Sequence, residues 1–318
     1  MKTSKNVAPG SIPEKPYFVR LARDIKVNLP VYVIALLCLS WYGIFCYGPI
    51  GGIITAFKNY KPVLGIWGSE WVGLRYFTQF FSSYYFTRLV RNTLLINIYD
   101  ILFGFPMPIL LALLLNELNN TSYKRIVQTV TYLPHFISQV IICGLLVNFL
   151  TSDGVITQVI TQFTGSNPGN LLADPGNFRF IFVSSGIWQN VGYSSIIYLA
   201  ALGAVDPQLL DAAAIDGCNR FGRVWHVTLP AIVPTIIIML ILRTGSIMNV
   251  GFEKVILLYN PQIYETADVI SSFVYRYGLL QGNYSYSSAV GLFNSIINFS
   301  FLLLVNQISK KASEISLL

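Results

Sequence analysis

Two charged side chains within apolar stretches are the first residues whose type could do chemistry. Asp100 and Arg243 each lie in a run of apolar residues that is long enough to form a membrane-spanning helix. A charged side chain near the centre of a bilayer costs about 2.5 to 3.5 kcal/mol on insertion scales. Three explanations stay open. The two charges pair in a structural or gating role, they line a wet pathway and contact an acidic or hydroxyl-rich solute, or they lie close to the membrane interface.

An aromatic face beside amide groups is the second arrangement with a chemical use. Four such residues fall within one apolar stretch: Trp188, Gln189, Asn190 and Tyr193. Together they offer the flat apolar surface and the hydrogen-bonding groups that sugar binding needs. Asn148 and Asn249 are further polar residues within predicted helices. The alternative for each of these residues is a hydrogen bond between neighbouring helices in the bilayer.

The two histidines, His135 and His226, have no partners at metal-ligand spacing. The sequence also lacks a cluster of His, Asp, Glu or Ser at catalytic spacing, and it lacks a Gly-rich phosphate-binding loop followed by Lys and Ser or Thr. We therefore predict no catalytic residue, no metal site and no cofactor in this chain. The alternative of a membrane enzyme has no residues to support it.

Membrane helices must position these residues, because the composition is not that of a soluble protein. Only 11% of the 318 residues are charged and 54% are apolar, whereas soluble domains carry about 25% charged residues. Six stretches approach the roughly 20 apolar residues that a helix needs to cross a bilayer. The predicted spans are 31–50, 92–115, 127–150, 180–202, 231–250 and 289–308.

These spans predict an all-α polytopic membrane protein with a transmembrane domain over 31–308. A tail over 1–30, which could form an interfacial helix, precedes the domain, and a tail over 309–318 follows it. Six of the 21 Lys and Arg residues precede the first span. The other segments predicted on the same side of the membrane contain six more, in short loops and in the C-terminal tail: Lys124, Arg125, Arg220, Arg223, Lys310 and Lys311. Basic residues concentrate on the cytoplasmic side of membrane proteins. Both termini are therefore predicted to be cytoplasmic, and Lys254 falls in a predicted outer loop.

The segment between the fourth and fifth spans, 206–230, contains the signals of a short helix-turn-helix. Asp206 is a good N-cap and Pro207 a good first helical residue. Gly217 can adopt the left-handed conformation that ends a helix. A second short helix is predicted near 219–228, before Pro230 forces a new direction into the fifth span.

The second helix of the 206–230 segment should present an apolar side that a peripheral protein could grip in a groove. The residues on that side are Phe221, Val224, Trp225 and Thr228, with Arg220 and Arg223 nearby. On chemistry alone, an ordinary loop at the membrane interface is an equal alternative.

The 206–230 segment resembles the signature of binding-protein-dependent ABC importer permeases: Glu-Ala-Ala, three residues, Gly, nine residues, Ile, one residue, Leu-Pro. The matching residues are Asp211, Ala212, Ala213, Gly217, Val227, Leu229 and Pro230, with every spacing kept. Asp211 replaces the usual Glu and Val227 replaces the usual Ile, so charge and apolar character are retained. The resemblance implies that this segment, with Asp216 and Arg220, is the coupling helix that contacts an ATPase on another chain.

A wider resemblance to maltose-type sugar permeases, and most to the LplB branch, runs from the first span to the C-terminus. It includes the stretches Arg91-Asn-Thr93, Tyr132-Leu-Pro-His-Phe-Ile-Ser138 and Tyr275-Arg-Tyr-Gly278. The resemblance implies a type I importer permease fold in a bacterial cytoplasmic membrane. It also implies a second homologous permease, two cytoplasmic ATPases that bind ATP and Mg, and an extracytoplasmic solute-binding protein. The expected cargo is an oligosaccharide released from a polysaccharide, with an acidic, uronate-type oligosaccharide as one candidate.

Two other transport functions stay open on the residues alone. A secondary transporter could use Asp100 and Arg243 to couple to protons, but it would not need the spacing of the 206–230 segment, and dependence of uptake on ATP would separate the two. An importer of a peptide, an amino acid or an ion would keep that segment, and only the wider resemblance favours sugars.

Overall fold

The computed structural model describes residues 24–313, with side chains as far as residue 311. The chain divides into two compact units, Met1–Ile54 and Thr55–Leu318. The interfacial helix predicted within 1–30 lies largely outside the described residues.

The first unit contains helix α1 (Leu29–Trp41), which starts with Pro30 in its first turn and continues as a π-helix over Tyr42–Tyr47. A 3-10 helix over Gly48–Phe57 follows. The whole stretch Leu29–Phe57 is long and apolar enough to cross a membrane. It is longer at both ends than the predicted first span.

The second unit consists mainly of helices. Its α-helices in chain order are α2 (Gly65–Gly68), α3 (Arg75–Phe81), α4 (Tyr85–Tyr99), α5 (Pro106–Asn116), α6 (Thr121–Tyr132), α7 (Gln139–Phe149), α8 (Val155–Thr164), α9 (Pro175–Gly203), α10 (Pro207–Ile215), α11 (Arg220–Arg223), α12 (Leu229–Thr244), α13 (Phe252–Leu258), α14 (Tyr264–Ala267), α15 (Ile270–Val274) and α16 (Tyr284–Ser313). Strand β1 (Lys58–Asn59) pairs antiparallel with β2 (Glu70–Trp71), with Lys58 opposite Trp71.

Four continuous helical stretches among the described residues are long and apolar enough to span a membrane: Leu29–Phe57, Tyr85–Asn116, Arg220–Thr244 and Tyr284–Lys311. Two bent pairs, Thr121–Phe136 with Gln139–Phe149 and Pro175–Gly203 with Pro207–Ile215, bring the number to as many as six. The prediction of an all-α polytopic membrane protein is confirmed.

Pro134 marks the point where the predicted span 127–150 is broken. It begins a 3-10 helix, Leu133–Phe136, and is followed by the extended residues Ile137 and Ser138. Ser138 then caps α7 by accepting a hydrogen bond from the backbone N–H of Ile141 at 3.4 Å. The two halves are bent by 95°, because an extended residue between two helices changes the direction of the chain far more than a proline kink does.

Pro230 does not redirect the chain, and the prediction of a separate second helix over 219–228 is wrong. The structure has one continuous helix, Arg220–Thr244. A π-helical turn, Val224–Thr228, ends two residues before the proline. Such a wide turn has a hydrogen-bonding pattern that does not require the N–H that proline lacks. Pro106 in the second span follows a π-helical segment in the same way, Asp100–Gly104.

The ends of the last two spans also differ from the sequence prediction. Helix α12 ends at Thr244, so the last residues of the predicted span 231–250, including Asn249, lie in a turn. Helix α16 continues to Ser313, so the predicted tail over 309–318 begins within a helix.

Helix α9 is the central helix of the second unit, since it packs against α5, α6 and α12. Tyr198 and Leu202 of α9 are buried against Ala112 of α5 and Ile232 of α12. The other end of α9 contributes Phe178 to a second buried cluster with residues from the 250–269 stretch. A long helix held at both ends can present the side chains of its middle turns at fixed positions.

Candidate functional site

A cavity of about 420 Å³ lies beside the middle of α9, and four of the eight residues predicted to contact a solute or to gate a path line it. These four are Asp100, Gln189, Asn190 and Arg243. We call it the α9 cavity. Its other lining residues include two aromatic side chains, an amide and a lysine: Phe105, Phe182, Gln139 and Lys254. The cavity volume falls within the roughly 300 to 1,000 Å³ of ligand pockets.

Asp100 and Arg243 form an ion pair in the wall of the α9 cavity. A guanidinium N–H of Arg243 donates to the Asp100 carboxylate, and both side chains are partly exposed. A Cβ at Gly104 would lie 2.6 Å from Asp100 Oδ1, so a residue with a side chain there would displace the carboxylate. The pair joins the second span to the end of α12, which supports a structural or gating role.

Single substitutions Asp100→Asn and Arg243→Gln are each expected to reduce uptake roughly tenfold, because each leaves the partner charge unpaired. The free-energy cost should be lower than for breaking a fully buried pair, since both side chains are partly exposed. The double exchange, Asp100→Arg with Arg243→Asp, should restore part of the lost uptake, as measured in cells with equal amounts of the protein. No recovery in the double exchange, with both singles impaired, would contradict a direct functional pairing.

Lys254 is a residue of the cavity that the sequence analysis does not assign to a site. It lies on α13, in the segment between the fifth and sixth spans that the sequence predicts as an outer loop. It is only 8% exposed, and its Nζ donates to the backbone carbonyl of Phe182 at 2.8 Å. The ammonium also lies 4.7 Å from the centroid of the Phe182 ring. A single Lys followed by the apolar run Val255 to Leu258 was the available sequence signal.

The other four predicted residues of a solute path lie outside the α9 cavity. Trp188 and Tyr193 are exposed and do not line the cavity. Tyr193 stacks on the His135 ring with centroids 3.9 Å apart, and His135 Nδ1 lies 3.0 Å from Oδ1 of the cavity residue Asn190. Asn148 is exposed on α7. Asn249 accepts a hydrogen bond from Asn294 of α16 at 2.9 Å. The predicted aromatic face beside amides is therefore divided, with Gln189 and Asn190 in the cavity and Trp188 and Tyr193 away from it.

The 206–230 segment forms the predicted helix-turn-helix, although its second helix continues into α12. The Asp206 carboxylate accepts from the N–H of Gln208 at 2.9 Å, and Pro207 is the first residue of α10. Gly217 has a φ of 81°. The N–H of Cys218 bonds to the Ala213 carbonyl at 2.9 Å and that of Gly217 to the Ala214 carbonyl at 3.1 Å. This is the Schellman arrangement, and it satisfies the last carbonyls of α10.

The residues predicted to contact an ATPase lie on or near the surface of the 206–230 segment. Six of them are exposed: Asp211, Ala212, Asp216, Gly217, Arg220 and Pro230. Ala213, Val227 and Leu229 are partly buried. The segment therefore presents acidic, basic and small residues together.

Two aromatic rings form the apolar surface of the 206–230 segment. Phe221 is 76% exposed and Trp225 is 58% exposed, and their rings stack with centroids 6.4 Å apart. Val224 is partly buried and Thr228 is buried, so the prediction that Thr228 belongs to the exposed side is wrong. Large aromatic side chains on a monomer surface are typical of the anchors of protein interfaces.

A buried carboxylate joins several helices at the other end of the second unit. Asp268 is fully buried and pairs with Arg276 at 2.7 Å and with Arg88 at 3.2 Å. Burial acts to lower the pKa of the Arg276 guanidinium, but hydrogen bonding to Asp268 and its negative charge more than offset this, so the net shift is upward. The Asn92 amide donates to the Asp268 carbonyl at 3.0 Å. We call these residues the Asp268 cluster.

Comparison with known proteins places this geometry in context. The model of the family described as "Binding-protein-dependent transport system inner membrane component" matches residues 104–314. Protein LplB of Bacillus subtilis (strain 168) is 46% identical over 288 residues, covering 90% of each chain. The polygalacturonan/rhamnogalacturonan transport system permease protein YteP of the same organism is 41% identical over 317 residues, covering 99% of each chain.

Two solved structures have the same fold. A chain of a bacterial ABC transporter involved in the import of the acidic polysaccharide alginate superposes with a TM-score of 0.85 and 42% identity, covering 92% of this chain and 99% of that one. A chain of the alginate transporter in complex with an alginate pentasaccharide-bound periplasmic protein also gives a TM-score of 0.85, with 41% identity and coverage of 94% and 100%.

Proposed function

We propose a function from the premise that this chain belongs to the family of binding-protein-dependent transport system inner membrane components. It is a multi-pass membrane permease subunit of an ABC importer, and it carries an oligosaccharide across the membrane. The observation that carries this proposal is the exposed 206–230 segment, in which the family's spacing falls on a helix-turn-helix.

An acidic oligosaccharide is the substrate class that the relatives favour. One similar permease is named for polygalacturonan and rhamnogalacturonan, and two similar structures are of an importer of the acidic polysaccharide alginate. Galacturonan and alginate are both polymers of uronic acids. The α9 cavity supports this class with amide groups, aromatic rings and two basic side chains, which are the groups that bind hydroxyls and carboxylates.

The 206–230 segment acts as the contact with an ATPase on a separate chain. Its stacked aromatic pair, Phe221 and Trp225, enters a groove on that ATPase, and the Schellman turn at Gly217 holds α10 against the following helix. Closure of two ATPases around ATP and Mg then moves the segment as a rigid body. Because α10 follows α9 and α11 runs into α12, the movement reaches both walls of the α9 cavity.

The remaining partners follow from the same proposal. A second, homologous permease completes the transmembrane assembly, and an extracytoplasmic binding protein delivers the oligosaccharide. Both termini lie in the cytoplasm, since Lys and Arg are densest on that side. Asp100 and Arg243 are partners in the cavity wall rather than a proton relay, since the carboxylate is already engaged by the guanidinium.

Reconstitution of the importer tests this function. The chain is purified with its second permease and its ATPases, placed in proteoliposomes and supplied with binding protein loaded with trigalacturonate. We expect uptake that requires ATP, persists without a proton gradient and is accompanied by stimulated ATP hydrolysis. Uptake that follows a proton gradient without ATP would support a secondary transporter instead.

A further inference from the structure

Lys254 carries a buried positive charge that forms no ion pair with a carboxylate in the described part of the chain. The residue is 8% exposed, and no acidic side chain among residues 24–311 lies within the 4.0 Å of an ion pair. Its one hydrogen-bond acceptor is the Phe182 carbonyl at 2.8 Å, whereas an ammonium has three N–H donors. Gly186 leaves room beside the ammonium, since an added Cβ there would lie 3.3 Å from Nζ.

A buried lysine without a counterion is costly, and ionised groups in protein interiors are normally paired. Helix α13 could bury an apolar residue at this position at no such cost. The Phe182 ring, 4.7 Å away, compensates part of the charge, but it does not replace an anion. The arrangement is therefore that of a site completed by a ligand that carries negative charge.

The surroundings in the α9 cavity fit a carboxylate borne by a sugar. The charged residues lining the cavity are Asp100, Arg243 and Lys254. Arg243 is already paired with Asp100, so Lys254 is the cation available to a solute. Gln189 offers an amide group for hydroxyls, and the Phe105 ring offers an apolar face for a pyranose. Gln139 and Asn190 also line the cavity, with amides that bond to Cys143, and to Gly186 and His135, respectively.

We propose that Lys254 is a specificity-determining residue that binds a uronate carboxylate of the oligosaccharide as it passes through the α9 cavity. This inference rests on the proposed importer function and adds to it the residue that recognises the acid. The Asp100 carboxylate keeps Arg243 engaged, so Lys254 is the one basic side chain without a carboxylate partner among the described residues that line the cavity. A single charge-assisted contact allows the acid to bind without being retained.

The test compares trigalacturonate with its fully methyl-esterified form, which has the same length and no charge. Initial uptake rates are measured in proteoliposomes containing the complete importer and one preparation of binding protein. The ratio of acid uptake to ester uptake is then compared between wild type and variants. Because the binding protein is common to all samples, its own preference cancels from that comparison.

Lys254→Gln is expected to lower the ratio of acid to ester uptake about tenfold or more, since a hydrogen bond to a charged group is lost. Lys254→Arg should keep most of the ratio because the charge is retained. Lys61→Gln removes an exposed positive charge from a loop outside the cavity and should leave the ratio unchanged.

Three results would overturn the inference, and they are distinguishable. Equal loss of acid and ester uptake in Lys254→Gln would assign Lys254 a purely structural role through Phe182. If the wild-type importer took up only the ester, the substrate would not be an acid, although the permease function would stand. A wild-type importer that takes up neither compound would overturn the proposed oligosaccharide function as well.

Discussion

Truncation of the stacked pair on the 206–230 segment, Phe221→Ala with Trp225→Ala, is expected to abolish transport and substrate-stimulated ATP hydrolysis. Both rings are exposed and stack on each other, so their removal costs the fold of this chain little. If they anchor an ATPase, each truncation weakens the complex by about 2 to 4 kcal/mol. The two together should reduce co-purification of the ATPase more than a hundredfold.

The measurement has three readouts: the amount of permease in the membrane, the ATPase recovered with it, and the uptake rate. The matched control is Trp67→Ala, which removes a tryptophan that is 86% exposed in the short helix α2. We expect normal values from the control. A truncated variant that retains its ATPase and its uptake rate would contradict the coupling role of the pair.

Loss of the buried carboxylate of the Asp268 cluster is the second large effect. Asp268→Asn should destabilise the protein by about 3 to 5 kcal/mol, because two arginines then lose the single charge that compensates them. Arg88 lies at the start of the second span and Arg276 in the π-helical segment Tyr275–Leu280 before α16, so the loss separates elements far apart in the chain. We expect a lower midpoint of thermal unfolding in detergent.

The control for this substitution is Glu265→Gln, which removes an exposed negative charge three residues away. Exposed substitutions of this kind usually change stability by less than about 0.5 kcal/mol. A triple variant that combines Asp268→Asn with Arg88→Met and Arg276→Met should recover part of the loss, since no unpaired charge remains. Equal unfolding midpoints for Asp268→Asn and Glu265→Gln would refute this account of the cluster.

The 206–230 segment is the part of the candidate site that the sequence predicted best. The N-cap at Asp206, the start at Pro207 and the left-handed Gly217 are all as expected. Each depends on hydrogen bonds between residues at most five positions apart. Pro230 was misjudged because its effect depends on whether a π-helical turn precedes it, and residue type alone does not fix that choice.

The helical class and the approximate positions of the spans were also predictable, because lipid requires about 20 apolar residues per helix whatever the packing. The contents of the cavity were predictable only in part. Polarity within an apolar stretch identified Asp100 and Arg243 as unusual, but it could not distinguish Asn190, which lines the cavity, from Tyr193 three residues later, which stacks on His135 instead.

The sequence by itself therefore determined the first helix and the turn of the 206–230 segment, since their shape follows from backbone hydrogen bonds closed within a few residues. Only the tertiary structure decided which partners the charged side chains contact. Asp100 meets Arg243 across 143 positions, Lys254 meets the Phe182 carbonyl across 72, and Asp268 meets Arg88 across 180. Such contacts depend on which faces of separate helices pack together, and an apolar helix in lipid gives little indication of which face that is.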